Sequence, residues 1–265
     1  MSLSTTPPST RSLPLTTQTS NPTPAYLDRF ISCIASAFNS NAISTAFISE
    51  IDATPPPYPP SAPSPITHAR SIAHFAGGIR DSVSNPPFRS TQNAILLESG
   101  DWAAVASWEP PSYTGTPFSE SKSNPGPLLS EWKAAVAHMK AQYLGYAQND
   151  DEPTGRTAEN GTGQPVRKLR PHYHLAFLAR VPGREDVKGA ISAVVLPFLA
   201  KARDEGVPVW LEATDPHALA VYEHYGFRVC EVVIVGVGRV GADGWPKEGG
   251  EGIKWWGMLW DGKSV

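Results

Sequence analysis

Hydrophobic and polar positions change period several times along the second half of the chain. A short apolar run over residues 174–181 predicts a buried strand, and apolar residues then recur at helical spacing over residues 191–202. A second apolar strand is predicted over residues 207–213. A short helix over residues 215–226 begins with Asp-Pro and ends with Gly, and a β-branched strand follows over residues 227–237. The predicted order is therefore strand, helix, strand, helix, strand.

The flanking segments add three helices and further strands to this pattern. Apolar residues recur on one face over residues 26–38 and again over residues 128–146, and a further helix is predicted over residues 66–82. Residues 93–108 contain two short apolar runs around a polar turn with a glycine, which is typical of a β-hairpin. The apolar run over residues 253–260 predicts a closing strand.

Composition divides the chain into a tail and one folded domain. Residues 1–24 are rich in Ser, Thr and Pro and hold too little apolar surface to offset the entropy of ordering, so we expect a disordered tail. Residues 25–265 are expected to form a single domain, because a chain of 265 residues that is 40% hydrophobic suits one substantial core. We expect loops within it at residues 51–65, 110–127 and 148–170.

Charge and cysteine content exclude several classes of function. The formal net charge is −3, which offers no basic surface to a nucleic acid. The two cysteines, Cys33 and Cys230, lie far apart and lack metal-binding spacing, so reduced thiols in a cytoplasmic protein are expected. No apolar run approaches the roughly 20 residues that span a bilayer, so no membrane partner is expected. A monomer and a homodimer are both compatible with these properties.

Four segments carry a resemblance to a known family. They are AAVASWEPP at residues 103–111, SAVVLP at residues 192–197, GVPVWLEAT at residues 206–214 and VYEHYGF at residues 221–227. In order and spacing they resemble the GNAT superfamily of N-acetyltransferases, most closely the puromycin N-acetyltransferase type. The resemblance implies an α+β fold (an α/β sandwich) with a mixed central sheet of about six to seven strands, about four flanking helices, and splayed fourth and fifth strands. The pattern does not place the first strand of that sheet.

The resemblance also implies how acetyl-CoA would bind as a co-substrate. Two neighbouring parallel strands diverge in such a fold, so one of them exposes backbone groups that hydrogen-bond the pantetheine arm as an added strand. The diphosphate then lies at the N-terminus of the next helix, where free N–H groups favour negative charge. The residues that match these positions are Leu178, Ala179, Arg180, Lys188, Gly189, Ala190 and Ser192.

The cofactor loop departs from the family's pattern. The resembling enzymes carry Gln-x-x-Gly-x-Gly or Gly-x-Ala there, because small residues let phosphate oxygens reach the backbone amides. In this chain Gly189 is kept, but Asp186 stands in place of Gln, and Val187 and Ile191 stand in place of Gly. Asp186 adds negative charge near a diphosphate, and Ile191 adds a branched side chain. The alternative interpretation is an ordinary helix start, whose acidic residues favour the helix dipole.

Two residues match the family's catalytic positions. Tyr222 occupies the place of the tyrosine that protonates the departing thiolate, with a tyrosine that merely packs on the sheet as the alternative. Glu212 lies within an apolar strand, where a carboxylate needs a partner or a raised pKa, and it matches a glutamate of the resembling enzymes. It is a candidate base for the acceptor amine. Its alternative is a buried structural ion pair with Arg or Lys.

Three further residues are candidates for the acceptor pocket. His172 and His174 have the period-two spacing that places strand side chains on one face, so either is a candidate base or acceptor contact, or a structural histidine. No third ligand accompanies them at a metal-binding spacing, so no metal site is predicted. Trp108 is a candidate aromatic wall for a flat substrate, with a core position as the alternative.

Two hypotheses of function follow. The first is a CoA-dependent transferase that moves an acetyl group to an amine of a small molecule by direct attack in a ternary complex. The second is a non-catalytic or repurposed protein that keeps the scaffold as a small-molecule binding module or for specialised metabolism. Tyr222 and Glu212 favour the first hypothesis, and the altered loop favours the second.

Overall fold

The computed structural model describes five stretches of the chain, residues 12–51, 66–84, 93–113, 126–146 and 168–262. The predicted tail before residue 12 and most of the three predicted loops lie outside these residues. The helices in the described part are α1 (Pro24–Ala37), α2 (Ala42–Ile51), α3 (His68–Val83), α4 (Gly126–Tyr143), α5 (Ala190–Asp204) and α6 (Pro216–His224). The strands are β1 (Thr16–Thr19), β2 (Ile95–Ser99), β3 (Ala104–Glu109), β4 (Gly145–Tyr146), β5 (Lys168–Leu169), β6 (Tyr173–Arg180), β7 (Val209–Ala213), β8 (Arg228–Val235) and β9 (Ile253–Trp260).

Seven of these strands form one mixed sheet in the order β1-β2-β3-β6-β7-β9-β8, and β4 pairs with β5 in a separate ribbon. Within the large sheet β6 and β7 are parallel, and every other neighbouring pair is antiparallel. Helices cover both faces of the sheet, so the predicted α+β sandwich with a mixed sheet is confirmed. No single helix in the described ranges is long and apolar enough to cross a membrane; α1 and α2 meet that criterion only as a pair, bent by 109°.

Strand β1 corrects the prediction of a disordered tail over its described part. Thr16 pairs with Ser99 and Thr19 pairs with Leu96, which makes β1 an edge strand beside β2. The N–H of Gly100 also donates to the carbonyl oxygen of Leu15 at 3.0 Å. An edge strand needs only backbone hydrogen bonds on one side, so a Ser/Thr-rich segment with exposed side chains can form it. This is the first sheet strand that the hydrophobic pattern did not place.

Helix α2 was not predicted either, and its start is defined by Asn41. The Oδ1 atom of Asn41 accepts hydrogen bonds from the N–H groups of Ile43, at 3.1 Å, and Ser44, at 3.3 Å. These bonds satisfy two of the amides that a helix N-terminus leaves free. The apolar side of this short helix includes Phe47, which packs against α4 through Trp132 at 5.8 Å between ring centroids.

The two faces of the sheet carry separate cores. Helix α5 packs on β2, β3 and β6 on one face, where Trp108 stacks on Phe198 with 4.7 Å between ring centroids. On the other face α1 packs on β3 and β6, and α4 packs on β8. A side chain of β6 therefore belongs to one core or the other according to the face on which it lies.

An extra residue in β6 reverses this alternation half-way along the strand. Ser107 pairs with Phe177 and Trp108 pairs with Leu175, so Ala176 has no counterpart in β3. Such a bulge shifts the residues beyond it by one position. Leu175 consequently packs in the core beneath α5, whereas Phe177 packs with α1 and α3.

The fourth and fifth strands of the sheet separate soon after they meet. Strands β6 and β7 pair only through Tyr173 with Val209 and His174 with Trp210. Beyond His174 the remaining six residues of β6 run on without pairing to β7, although all of them except Ala176 still pair with β3. The predicted splay between these two strands is confirmed.

Candidate functional site

A cavity of about 820 Å³ occupies the gap between β6 and β7. Its walls come from both strands, from α6, from the first turn of α5, and from the helices α1 to α4 on the opposite side. A volume of this size is typical of a site for a small molecule or a cofactor. The cavity exists because β6 and β7 diverge, so the strand separation and the site have one cause.

The unpaired half of β6 forms one wall, and it includes three of the predicted cofactor residues. Leu178, Ala179 and Arg180 all line the cavity. The guanidinium of Arg180 donates to the carbonyl oxygens of Arg184, at 3.1 Å, and Val187, at 2.7 Å, and so braces the loop between β6 and α5. Its Nε atom is buried without a hydrogen-bond partner among the described residues.

The start of α5 forms the end of the cavity. Gly189 is the N-cap residue, with φ of 81°, and no side chain caps the helix there. A residue other than glycine would be strained at this φ, which explains why Gly189 is the residue that closes the loop. Gly189, Ile191 and Ser192 line the cavity, and the Ser192 hydroxyl is hydrogen-bonded to that of Tyr225 at 2.9 Å.

Two predicted cofactor residues lie outside the cavity lining. The Lys188 side chain is exposed, and its Nζ donates to the carbonyl oxygen of Glu185 at 3.1 Å. Ala190 is fully buried, and its carbonyl oxygen accepts a hydrogen bond from the Ser99 hydroxyl at 2.8 Å. The side chains of Lys188 and Ala190 therefore lie toward solvent and toward β2, and the prediction that these two residues bind the cofactor stays a prediction.

A buried cluster of acidic residues and one histidine lies where the strands part. His174 Nδ1 is 2.7 Å from Glu109 Oε2, and His174 Nε2 is 2.9 Å from Glu212 Oε2. Trp210 Nε1 also donates to Glu212 Oε1 at 2.6 Å. His174 and Glu212 are each only 12% exposed at the side chain, and both line the cavity. Ionised carboxylates only accept hydrogen bonds, so this arrangement requires both ring nitrogens of His174 to donate, as in an imidazolium.

The cluster shifts the pKa values of its members in opposite directions. Burial alone would raise the pKa of Glu212, but the charge and hydrogen bond of His174, together with the bond from Trp210, hold it at about 2. Burial and the charge of Lys140 act to lower the pKa of His174, but the carboxylates of Glu212 and Glu109 raise it above its ordinary value. Glu212 is therefore a carboxylate at neutral pH, and its partner His174 is biased toward the imidazolium form.

Tyr222 lies on α6 and lines the same cavity. Its ring packs on Phe227 at 5.8 Å between centroids, and the residue is 7% exposed. Burial, followed by the negative charges of Asp215 and Glu212, raises the pKa of Tyr222 above its usual value. A phenol of this kind stays protonated at neutral pH, so it has a proton to donate into the cavity.

Two of the predicted acceptor-pocket residues are placed elsewhere. Trp108 is fully buried on the other face of the sheet, where its Nε1 donates to the carbonyl oxygen of Val194 at 3.1 Å. Trp108 packs with Leu175 beneath α5 and does not line the cavity, so the prediction of an acceptor-pocket wall at Trp108 is wrong. His172 precedes β6 and does not line the cavity; its Nδ1 is 3.0 Å from the carbonyl oxygen of Arg170. Burial and the charge of Lys140 lower the pKa of His172 to about 4.

Comparison with known proteins identifies the fold. No family model matches the chain. Among solved structures, the C-terminal condensation domain of Ebony in complex with beta-alanyl-dopamine aligns with a TM-score of 0.55 at 10% identity, over 94% of this chain and all of that domain. The mosquito arylalkylamine N-acetyltransferase like 5b aligns with a TM-score of 0.50 at 8% identity, over 93% of this chain and 99% of that one. This chain has the GNAT N-acetyltransferase fold.

Proteins related in sequence match only part of this GNAT-fold chain. An uncharacterised N-acetyltransferase of Schizosaccharomyces pombe is 24% identical over 139 residues, which is 50% of each chain. The putative increased recombination centers protein 11 of Saccharomyces cerevisiae is 30% identical over 89 residues, covering 34% of this chain and 57% of that protein. The chain thus spans only about half the length of these two curated relatives.

Sequence reasoning missed one member of the cluster and one wall of the GNAT-fold cavity. Glu109 ends an otherwise apolar strand, which was the signal that its carboxylate needs a partner, and the structure buries it to 5% exposure. The missed wall consists of the rings of Phe38, Phe75 and Phe177, whose elements meet only in the folded chain. Within the described ranges no group of three or more His, Cys, Asp and Glu side chains is placed to hold a metal ion.

Proposed function

We propose that the protein is an acyl-CoA-dependent N-acetyltransferase that moves an acetyl group from acetyl-CoA to an amine of a small molecule. One observation carries this proposal: the gap between β6 and β7 opens a cavity of about 820 Å³ that is lined by both Glu212 and Tyr222. A thioester in that gap would lie near both a carboxylate and a phenol. The puromycin-type segments and the Schizosaccharomyces pombe relative support the same activity.

The described backbone supports the place proposed for acetyl-CoA. The unpaired part of β6 offers peptide groups to the pantetheine arm, in the manner of an added strand. The diphosphate would lie at the start of α5, where Gly189 leaves the first amides of the helix without a side-chain cap. These donors are backbone groups, so the altered side chains of the loop do not remove them.

The chemistry proposed for the site is direct transfer. The neutral amine attacks the thioester carbonyl carbon, which forms the C–N bond and moves the carbonyl electrons onto oxygen. With its pKa held at about 2, Glu212 is too weak a base to take the proton of the new C–N nitrogen, so its proposed role is to hold that positive nitrogen while the proton leaves to solvent. When the intermediate collapses, the C–S bond breaks and Tyr222 gives a proton to the thiolate. Solvent reprotonates Tyr222, leaving an amide and CoA.

Isothermal titration of the full chain with acetyl-CoA tests this proposal. We expect saturable binding with a Kd in the micromolar range, and CoA release when amines are added. The absence of binding up to millimolar acetyl-CoA would overturn the proposal. Glu223→Gln provides the control, because Glu223 lies on the exposed side of α6 outside the cavity lining, so this variant should bind like the parent.

The second candidate, a repurposed GNAT-fold binding protein, is favoured by the surroundings of α5. The branched side chain of Ile191 lines the cavity at the first turn. Leu13 and Pro14 also lie close to Gly189, each 3.4 Å from where a β-carbon on that glycine would stand. If acetyl-CoA does not bind but small amines do, this second function replaces the first.

A further inference from the structure

We propose that the acceptor is a primary amine with an aromatic body, its ammonium group held at Glu212 and its ring against the aromatic wall of Phe38, Phe75 and Phe177. This inference rests on the proposed function, because it names the substrate class of the same cavity. It combines two features of one cavity: the carboxylate of Glu212, which we call the anionic floor, and the three phenylalanine rings, which form the aromatic wall.

The bulge in β6 is what brings the floor and the wall together. Glu109 pairs with His174, and Ser107, two residues earlier on β3, pairs with Phe177. Directly paired residues share a face, and residues two apart on a strand do so as well. The carboxylate cluster and the Phe177 ring therefore lie on the same face of the sheet. Their partners on β3, Glu109 and Ser107, are about 7 Å apart along the strand, at roughly 3.4 Å per residue. Without Ala176 as the extra residue, Phe177 would lie beneath α5.

The floor carries a net negative charge. Glu109, Glu212 and Asp215 contribute three carboxylates, and His174 and Lys140 contribute at most two positive charges, so at least one negative charge is left over. Glu212 and Asp215 line the cavity, whereas Glu109, which is hydrogen-bonded to His174, does not. Trp210 is a neutral donor. A cationic group that enters the cavity is therefore attracted to this side of it.

The wall is apolar and aromatic. Ring centroids lie 5.8 Å apart for Phe38 and Phe75, 6.0 Å for Phe38 and Phe177, and 5.8 Å for Phe75 and Phe177. His74 also lines the cavity, with its ring 5.0 Å from that of Phe75. A substrate ring gains edge-on contacts there, whereas an ammonium group placed against these three rings would lose its hydration. An aromatic monoamine thus places its ring against the wall and its ammonium group at Glu212, whereas an aliphatic diamine gains no ring contact.

Reaction of such an acceptor requires one further proton transfer. The bound ammonium releases one proton to solvent before its nitrogen attacks, and the nitrogen releases a second proton to solvent after the C–N bond has formed, while Tyr222 protonates the thiolate and is reprotonated by solvent. Overall a cationic amine and acetyl-CoA give an amide, CoA and one proton.

Equilibrium binding of three probes to the full chain tests the inference without acetyl-CoA. The probes are 2-phenylethylamine, its neutral analogue 2-phenylethanol, and 1,4-diaminobutane, each followed by ligand-observed NMR at pH 7. We expect 2-phenylethylamine to bind at least tenfold more tightly than either of the others. Equal binding of the alcohol would refute the anionic floor. Equal binding of the diamine would refute the aromatic wall, and the absence of 2-phenylethylamine binding would refute both.

Matched variants test the anionic floor and the aromatic wall separately. Glu212→Gln should weaken 2-phenylethylamine at least tenfold and leave 2-phenylethanol unchanged, with Glu223→Gln as the exposed control. Phe177→Leu should weaken binding of the amine. Phe198→Leu makes the same change on the core side of α5, outside the cavity lining, so it should not weaken binding even if it lowers the melting temperature more. A Phe198→Leu variant that loses binding as much as Phe177→Leu would show that the effect is one of stability, against the inference.

These measurements distinguish a wrong acceptor class from a wrong transferase proposal. If acetyl-CoA binds but 2-phenylethylamine does not, or if acetyl-CoA is consumed faster with 1,4-diaminobutane, only the acceptor class is wrong. If 2-phenylethylamine binds with the expected selectivity and acetyl-CoA does not bind, the acceptor class stands and the transferase proposal fails.

Discussion

Glu109 and His174 face each other as directly paired residues of β3 and β6, with 2.7 Å between Oε2 and Nδ1. The same imidazole reaches Glu212 on β7 with its other nitrogen, at the last point where β6 and β7 pair. Three neighbouring strands thus meet in one buried ion-pair chain at the mouth of the gap. Glu109 does not line the cavity, so it acts on a substrate only through His174, as a positioning residue.

Replacing Glu109 with Gln should weaken this chain without removing its shape. A hydrogen bond to a charged group contributes about 1.5–3 kcal/mol, so we expect the free energy of unfolding to fall by an amount in that range. We also expect the pKa of His174 to fall, because one of the two carboxylates that raise it is gone. Urea unfolding measures the first effect, and NMR titration of the His174 ring measures the second.

Glu223→Gln on the exposed side of α6 is the matched control and should change neither quantity. If Glu109→Gln lowers stability but leaves the titration of His174 unchanged, the electrostatic role assigned to Glu109 is wrong and only a packing role remains.

The stability that His174 contributes should depend on pH in a defined direction. The pKa of His174 is raised on folding from its ordinary value of 6.5, so its contribution is complete below pH 6.5 and is lost as pH rises through the raised value. The pKa of Glu212 is lowered from 4.5 to about 2, so its contribution is complete above pH 4.5 and is lost on acidification toward pH 2. The network should therefore stabilise the fold most between about pH 4.5 and 6.5.

Denaturant unfolding of the parent chain and of His174→Asn across about pH 4.5 to 9 measures this contribution as a difference. Taking the difference cancels the contributions of groups that both chains share. These include His172, whose lowered pKa makes stability rise with pH over the same range, opposite to the effect of His174. The difference should be largest near about pH 5.5 and should shrink in alkali. A difference that stays constant over this whole range would contradict an ion pair at His174.

The buried strands and several helix ends were predictable because they rest on local signals, whereas the splay was implied by the family resemblance. Buried strands β6, β7 and β9 are apolar runs, and helix ends such as Gly206 and Gly226 carry positive φ, which favours glycine. Glu212 was found because a carboxylate within an apolar strand needs a partner, and Tyr222 was found because residues 221–227 resemble the family's segment. Both lie in the cavity, as the family resemblance implied.

The elements that were not predictable depend on contacts distant in sequence. Strand β1 is held by backbone bonds to β2, far along the chain, and these bonds leave no mark on its own side chains. Trp108 was predicted as a pocket wall because it is aromatic, but the face of β3 on which it lies places it in the core beneath α5, which was the alternative. Glu109 was missed because its partner His174 lies 65 residues later.

Tyr222→Phe should separate proton donation from binding. Loss of a general acid typically costs about 10²–10⁴ in rate, so we expect kcat for acetyl transfer to fall at least a hundredfold while the Kd for acetyl-CoA changes little. The ring of Phe would still pack on Phe227, so the fold should be kept. Steady-state CoA release and isothermal titration give the two quantities.

The control for this variant is Tyr143→Phe. The Tyr143 hydroxyl donates to the carbonyl oxygen of Cys230 at 2.8 Å and lies outside the cavity lining, so its removal should lower stability by about 1 kcal/mol and leave kcat unchanged. Full turnover in Tyr222→Phe would remove Tyr222 as the proton donor.

The side chain of Ile191 decides how well the altered loop accepts a diphosphate. Ile191 lines the cavity at the first turn of α5, beside Gly189, so its branched side chain occupies space near the free amides. Ile191→Ala shortens that side chain and keeps a good helix former, so we expect the Kd for acetyl-CoA to fall several-fold, measured by isothermal titration. Leu196→Ala, on the exposed side of the same helix at 43% exposure, should leave the Kd unchanged. Because Ile191 also packs on the core beneath α5, stability should fall in the same variant. Tighter binding in a less stable protein would show that the side chain obstructs the ligand, whereas weaker binding would mean that Ile191 is part of a pocket built for a different ligand.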